Sequence, residues 1–254
     1  MVPEHVSPRG EAWTERTVAW YERANARSDY AERVFAAAAD LLAACRSALD
    51  VGAGFGALAL PLARRIERVT ALEPSRPMAD ALRRAVTRPP LDNVAVIEAA
   101  WGDAPVVPHD LVVCAHVGPL LRPGSRFLSD VGRVARRGVL LVSDSRGDDD
   151  KFFFSELYPV LLGRPYERCC QDTEMLAALR ELGIEPTATT IEYRSDQPFE
   201  SLDEACDFWM TYMGLEKPEA RLWLRAFLAD RLRREGQGWL APFRKRATVI
   251  QWNV

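Results

Sequence analysis

The chain has 254 residues, a formal net charge of −3 at pH 7 and a hydrophobic residue content of 48%. This length suits one large α/β domain with an elaboration or two small domains, and the hydrophobic content is enough for a sizeable core. The chain lacks the excess of basic residues that drives non-specific binding to nucleic acid or to anionic membranes. We therefore expect neither nucleic acid nor membrane as a partner.

The cysteines and the first residues bear on the cellular compartment. The five cysteines follow no regular framework, which is typical of proteins in a reducing compartment. Residues 1–5 lack the basic segment followed by an apolar stretch that opens a secretory signal. No apolar run approaches the roughly 20 residues that span a bilayer. We expect a cytoplasmic protein.

Residues 1–45 are predicted to form a helical lid. The residues up to about Gly10 have the character of a disordered lead, and the pattern from Glu11 to about Cys45 is helical in at least two pieces. Ser28-Asp29 offers an N-cap for the second piece. The aromatic side chains of this segment either pack the helices onto a sheet or cover a ligand: Trp13, Trp20, Tyr21 and Tyr30.

A glycine-rich loop follows, and the rest of the chain is organised around it. An apolar run leads to Gly52, Gly54 and Gly56, and helical spacing resumes after them, which predicts a strand, a tight loop and a helix. Glycine lets the backbone approach a ligand closely and adopt positive φ. A dinucleotide loop has the spacing G-x-G-x-x-G. Here the third glycine comes one residue early, and Asp50 precedes the first one.

A second strand ends in an acidic residue. The run Arg68–Leu72 leads directly to Glu73 and Pro74. A carboxylate at the end of the second strand of such a fold can accept hydrogen bonds from the hydroxyls of a ribose. Either motif alone is compatible with an ordinary surface turn, but their order and spacing together favour a nucleoside cofactor site.

The pattern Gly52-x-Gly54-x-Gly56, with Asp50 before it and Glu73 after it, resembles motif I and the following acidic motif of the class I S-adenosylmethionine (SAM)-dependent methyltransferases. The resemblance implies an α/β fold, a doubly wound and mostly parallel seven-stranded sheet with an antiparallel last strand. It also implies SAM as cofactor, S-adenosylhomocysteine as product and in-line transfer of a methyl group to an acceptor.

The resemblance also assigns residues further along the chain. Met78, early in a helix that stops before Pro89, would cover one face of the adenine, although a methionine here is equally compatible with core packing. The family often has an aspartate for the adenine amino group at the position of Ala100, so backbone groups near Trp101 would have to recognise the base. The predicted cofactor-binding residues are Asp50, Gly52, Ala53, Gly54, Gly56, Glu73, Pro74, Met78, Ala100, Trp101 and Cys114.

The fourth strand supplies the candidate catalytic residue. In open α/β sheets ligands bind at the carboxyl ends of the strands, where the strand beginning at His109 brings Cys114 and His116. A histidine there can remove a proton from the acceptor, or it can be a hydrogen-bonded part of the wall. The family's Asn/Asp-Pro-Pro-Tyr/Phe signature for planar amines is absent, which favours a small-molecule acceptor over nucleic acid or protein.

Two clusters after the fifth strand (Gly138–Asp144) suggest metal binding only weakly. The acidic run Asp148–Asp150 resembles a magnesium-binding loop, but consecutive aspartates are more typical of a solvated turn. The vicinal pair Cys169-Cys170 has no third cysteine at a suitable spacing for a soft metal. We therefore predict no metal site.

The carboxyl-terminal part is predicted to contain a helix (Thr173–Leu182), a sixth strand (Thr187–Tyr193), a helical cap from Ser201 to about Trp239 and a last strand (Arg246–Trp252). An aromatic cap can enclose a small acceptor and exclude water, or it can fill its own core or a dimer contact. The segment upstream of the glycine loop resembles the helices that fold over the cofactor in small-molecule methyltransferases, and this resemblance implies that Arg16 pairs with the methionyl carboxylate of SAM. The predicted substrate and lid residues are Trp13, Arg16, Tyr21, Tyr158, Trp209 and Tyr212.

The sequence therefore predicts a SAM-dependent methyltransferase with a small-molecule acceptor, as a monomer or homodimer. Its expected parts are a lid (1–45), a core (46–200), a cap (201–240) and the last core strand (241–254). Two other functions stay open: a non-catalytic SAM-binding or interaction protein, and an NAD(P)-dependent oxidoreductase, which the early position of Gly56 disfavours.

Overall fold

The computed structural model of the chain describes residues 13–145, 151–166 and 172–254. The expected disordered lead, the acidic run Asp148–Asp150 and the pair Cys169-Cys170 lie outside the described residues. Among the described helices, none combines the length and apolar character needed to cross a membrane.

Within the described residues, the strands form two sheets. Their bounds are β1 (Ser47–Val51), β2 (Arg68–Leu72), β3 (Val94–Ile97), β4 (His109–Ala115), β5 (Ala135–Asp144), β6 (Thr187–Arg194), β7 (Gln197–Phe199), β8 (Arg233–Glu235), β9 (Gly238–Ala241) and β10 (Arg244–Asn253).

The main sheet has seven strands in the order β3-β2-β1-β4-β5-β10-β6. The pairings of β1 with β2 and β4, of β2 with β3 and of β4 with β5 are parallel, whereas β10 runs antiparallel between β5 and β6. The predicted doubly wound sheet with an antiparallel last strand is confirmed. The strand order reverses between β1 and β4, and this is the point at which open α/β sheets bind ligands.

The helices lie on both sides of this sheet and in the carboxyl-terminal part. Their bounds are α1 (Glu15–Asn25), α2 (Tyr30–Ala37), α3 (Ala39–Ala43), α4 (Ala59–Ala63), α5 (Arg76–Val86), α6 (Gly118–Leu121), α7 (Arg126–Asp130), α8 (Phe154–Leu162), α9 (Asp172–Glu181), α10 (Leu202–Met213) and α11 (Pro218–Arg231), with short 3-10 helices at Val131–Arg133 and Lys151–Phe153.

Each face of the sheet has its own hydrophobic layer. On one face, Phe35 of α2 and Leu62 of α4 belong to the same buried cluster as Ala48 of β1. On the other, Phe127 of α7 clusters with Leu49 of the same strand. All five residues of β1 are buried because both faces of the strand are covered. The glycine loop thus begins at the end of a fully buried strand.

The cap is not helical throughout. The helices end at Arg231, and residues 233–241 form a hairpin, β8 and β9, that pairs with β7 in a small antiparallel sheet. Gly236 has a φ of 59°, and a Cβ at Gly238 would lie 2.5 Å from the carbonyl oxygen of Phe199. These two glycines permit the turn and the close pairing, so the prediction of a helix to about Trp239 was wrong for this segment.

Candidate active site

The loop after β1 is hydrogen-bonded to the last residue of β2. The backbone N–H groups of Gly52 and Ala53 both donate to the carbonyl oxygen of Leu72, at 2.8 and 3.1 Å. Gly52 and Gly56 have φ values of 72° and 95°. A Cβ on either glycine would meet a neighbouring side chain at 2.4 or 2.5 Å. These two glycines are therefore required by packing as well as by backbone conformation.

Gly54, at the tip of the loop, is in a different environment. Its φ is 57°, and the nearest atom to an added Cβ is the Sδ of Met78, at 3.9 Å. The missing side chain of Gly54 therefore faces the space between the loop and α5. Its backbone N–H points the other way and donates to Oε2 of Glu73 at 2.8 Å.

Glu73 connects the two predicted motifs. Its carboxylate is buried, with the residue only 6% exposed, and Oε1 accepts a second hydrogen bond, from the Ser75 N–H at 2.8 Å. A carboxylate offers about four lone-pair positions. The two backbone bonds fix the orientation of this carboxylate beside the glycine loop.

Asp50 lies beneath the loop and is 2% exposed. Burial raises the pKa of its carboxyl to about 7, the nearby charge of Glu73 adds to this effect, and a hydrogen bond from the Ala59 N–H opposes it. A buried carboxylate without a matching cation is unfavourable. Asp50 is therefore suited to bind a positively charged ligand group.

The lid helix α1 covers the loop. Val18 of α1 and Met78 of α5 are buried in one small cluster, with Trp13 and Phe55 packed against it. Thus Met78 and Trp13, two of the predicted site residues, do lie together, on the α5 side of Gly54. The structure was needed to place Val18 and Phe55 beside them.

The remaining predicted cofactor contacts are less accessible. Pro74 is half-buried between Glu73 and the start of α5. Ala53 belongs to the glycine loop, and its side chain is buried in the core. Ala100 is 9% exposed. Trp101 is half-buried with its ring edge-on to Phe127, at a centroid distance of 5.1 Å.

Cys114 and His116 face different surroundings at the end of β4. Cys114 is fully buried in the core layer on the α7 side, and burial raises the pKa of its thiol well above the ordinary range, with Asp50 adding to the effect. The Cys114 side chain is thus part of the core. The His116 side chain is 32% exposed, and its Nδ1 lies 3.1 Å from Oδ1 of Asp144.

Two lid residues contact the cap instead of the glycine loop. Arg16 forms an ion pair with Asp207 of α10, and the Tyr21 hydroxyl lies 2.9 Å from that of Tyr212. The structure therefore gives Arg16 a carboxylate on the cap as its partner, in place of the expected methionyl carboxylate. The contact between Tyr21 and Tyr212 joins the lid to the cap.

The cap packs its aromatic residues into a core of its own. Trp209 is fully buried, and its indole N–H donates to the carbonyl oxygen of Phe152 at 2.7 Å. Tyr158 is 7% exposed and packs against Tyr166 at 4.9 Å between centroids. The structure therefore places Trp209 and Tyr158 in one hydrophobic cluster to which the cap, α8 and β7 all contribute.

Sequence reasoning missed Asp144 in this region, and it named Tyr30 only among the aromatic residues of the lid. Tyr30 of α2 lies over the carboxyl ends of the strands, with its ring 5.6 Å from that of His116 and 4.9 Å from that of Tyr193. Asp144 ends β5 and is the partner of His116. Asp144 had a signal, since it ends a buried strand. The place of Tyr30 over His116 could not be predicted, because it depends on how α2 packs against β6.

A cleft of about 560 Å³ lies at the opposite edge of the sheet. It opens at the amino ends of the strands, beside Arg46, Arg68 and Asp110. Ligands of open α/β sheets bind at the carboxyl ends. We therefore assign the site to the glycine loop and not to this cleft.

Comparisons with known proteins agree with this geometry. Residues 48–138 match the family described as "Methyltransferase domain". A protein of Bacillus halodurans, provisionally named a methyltransferase, has a similar structure with a TM-score of 0.52 and 18% identity, over 85% of this chain and 97% of that one. A provisionally named sarcosine dimethylglycine methyltransferase of Galdieria sulphuraria also scores 0.52, with 15% identity over 88% of this chain and 84% of that one. No curated protein matches the chain.

At these identities the solved structures establish the fold, and the family match covers the segment from β1 to β5. The match over residues 48–138 is thus to a methyltransferase domain, and the fold that the chain shares with these structures is Rossmann-like.

Proposed function

We propose that this protein is a SAM-dependent methyltransferase that acts on a small molecule. The observation that carries the proposal is the hydrogen bond from the Gly54 N–H to Glu73, 2.8 Å long. It joins a tight glycine loop to a buried acid where the strand order reverses. A nucleoside cofactor needs both features at that place.

The residues around this bond fit the cofactor. The Glu73 carboxylate lies at the end of β2, where it can bind the ribose hydroxyls, and the open side of Gly54 leaves room that a Cβ would enter. Met78 lies beside that space and can cover the adenine. Asp50 offers a buried carboxylate to the positively charged end of the ligand. When bound, SAM would supply a methyl carbon made electrophilic by its sulfonium.

The lid and the cap support a small acceptor. Residues 1–45 supply the lid, 46–200 and 241–254 the core, and 201–240 the cap. The lid packs on Met78 on one side and is tied to the cap by Arg16 and Tyr21 on the other. Such an enclosed site aligns two small reactants and excludes water, and alignment supplies much of the acceleration in a displacement reaction.

Calorimetric titration with S-adenosylhomocysteine tests the proposal. We expect the wild-type protein to bind this product and not NADH. We expect Glu73→Ala to weaken binding by about 1–3 kcal/mol, roughly 5- to 150-fold, because a buried charged acceptor of hydrogen bonds is lost.

Glu67→Ala is the matched control. Glu67 precedes β2, as Glu73 follows it, and its side chain is 70% exposed beside Arg46. The control should bind S-adenosylhomocysteine like the wild type. Equal affinities of Glu73→Ala and Glu67→Ala would remove Glu73 from the site, and binding of neither ligand by the wild type would contradict the proposed function.

A further inference from the structure

A histidine and an aspartate meet at the carboxyl ends of neighbouring strands. β4 and β5 are paired up to Ala115 and Val142, and each strand then delivers one side chain to the same edge, His116 and Asp144. The distance of 3.1 Å from Nδ1 of His116 to Oδ1 of Asp144 is that of a hydrogen bond. A carboxylate can only accept, so Nδ1 carries a proton, and in the neutral imidazole Nε2 then keeps its lone pair.

The backbone holds this histidine in an uncommon conformation. His116 has a φ of 57°, and its backbone N–H donates to the Val142 carbonyl oxygen at 2.8 Å. Positive φ is uncommon for residues other than glycine. The conformation ends the strand and lets the imidazole lie beside Asp144 instead of following the direction of β4.

Tyr30 covers the imidazole from the lid side. The residue is 8% exposed, and its hydroxyl has no hydrogen-bond partner among the described residues. Burial raises the pKa of this hydroxyl well above its ordinary range, with the charges of Tyr193, Asp50 and Asp144 adding to the effect. It therefore stays protonated and is a donor. A buried donor left without an acceptor is unfavourable, and a bound ligand can supply that acceptor.

We propose that Asp144 positions His116 as the general base for a hydroxyl-bearing acceptor, with the Tyr30 hydroxyl donating to the same oxygen. This inference rests on the proposed methyltransferase function. Oxygen fits these groups better than nitrogen. A hydroxyl oxygen has two lone pairs, so one can attack while the other accepts from Tyr30. A neutral amine has a single lone pair and cannot do both.

The proton and electrons of the step balance. Nε2 of His116 takes the hydroxyl proton while an oxygen lone pair forms the bond to the methyl carbon, and the electrons of the broken carbon–sulfur bond stay on sulfur. The positive charge of the sulfonium thus ends on the imidazole, where the Asp144 carboxylate stabilises it. The partly exposed imidazole then returns its proton to water.

The tautomer of His116 in the free protein tests the positioning role. The chain has three histidines. His109 is buried between Thr70 and the Val107 carbonyl, and its pKa is lowered by burial, so its signals are distinct. In ¹⁵N NMR spectra of the neutral imidazole we expect a bare Nε2 in the wild type and a shift towards the other tautomer in Asp144→Ala. An unchanged tautomer in Asp144→Ala would overturn the role of Asp144.

Phenol and aniline serve as probes of the acceptor class. With S-adenosylhomocysteine bound, we expect millimolar phenol to move the Nε2 resonance of His116 and aniline to leave it in place. Tyr30→Phe should weaken the phenol response while keeping the wild-type tautomer. A response to aniline alone, or to neither probe, would overturn the hydroxyl class.

Affinity for S-adenosylhomocysteine separates this inference from the proposed function. Asp144→Ala and His116→Ala should bind it within about twofold of the wild type, since both residues serve the acceptor. Loss of binding in these variants would move the pair into the cofactor site and overturn the inference. Failure of the wild type to bind would contradict the proposed function itself.

Discussion

Gly54→Arg is expected to abolish S-adenosylhomocysteine binding while the protein stays folded. An added Cβ has no neighbour closer than 3.9 Å, so the longer side chain would extend into the space between the loop and Met78. A side chain at a φ of 57° costs about 1–2 kcal/mol of backbone strain. This cost lowers the stability without explaining a complete loss of affinity. Calorimetric titration and thermal unfolding of the same preparation measure both effects.

Gly236→Arg is the matched control for this substitution. Gly236 has nearly the same φ, 59°, with no atom within 4 Å of an added Cβ, and it lies in the turn between β8 and β9. We expect both variants to lose similar stability and only Gly54→Arg to lose binding. Retained affinity in Gly54→Arg would mean that the ligand does not use the face of the loop beside Met78.

The glycine loop could be predicted because its signals are local, whereas the order of the strands was implied by the family resemblance. An apolar run of strand length enters the loop and helical spacing follows it, and the positive φ at Gly52 and Gly56 favours glycine. The pairing of Glu73 with Gly54 follows once the two strands are neighbours. Here the residue types and their spacing carry most of the information, and the structure adds the distances.

The lid and the cap could not be predicted in the same detail. Aromatic residues at helical spacing do not reveal which side they bury, so Trp209 was expected on a cleft wall although it lies in the cap core. The partner of Arg16 is 191 positions away in the chain. The polar strand β8 has no apolar alternation and is fully exposed, so its pattern is that of a helix end or a loop.

Asp50→Asn is expected to stabilise the free protein at pH 8 more than at pH 5. The folded-state pKa of Asp50 is about 7, above the value of 3.8 for an ordinary aspartate. The folded protein therefore binds a proton that the unfolded chain releases. Stability from this group is complete below pH 4 and is lost as the pH rises towards 7, by at most about 4 kcal/mol. An asparagine keeps the shape of the protonated form and removes this loss.

The same substitution should weaken ligand binding, because a positively charged ligand group favours the ionised carboxylate. In the wild type, affinity for S-adenosylhomocysteine should rise from pH 6 to pH 8 as Asp50 loses its proton, and in Asp50→Asn this rise should disappear. Urea unfolding at both pH values and calorimetry across the range measure the two effects, with the exposed Asp103→Asn as control. If Asp50→Asn changed the stability equally at pH 5 and pH 8, its carboxyl would not be the group that titrates. Asp50→Asn would then raise the stability of the free protein and lower its affinity for the ligand. The buried carboxylate of Asp50 would thus destabilise the free protein and stabilise the complex with a positively charged ligand group.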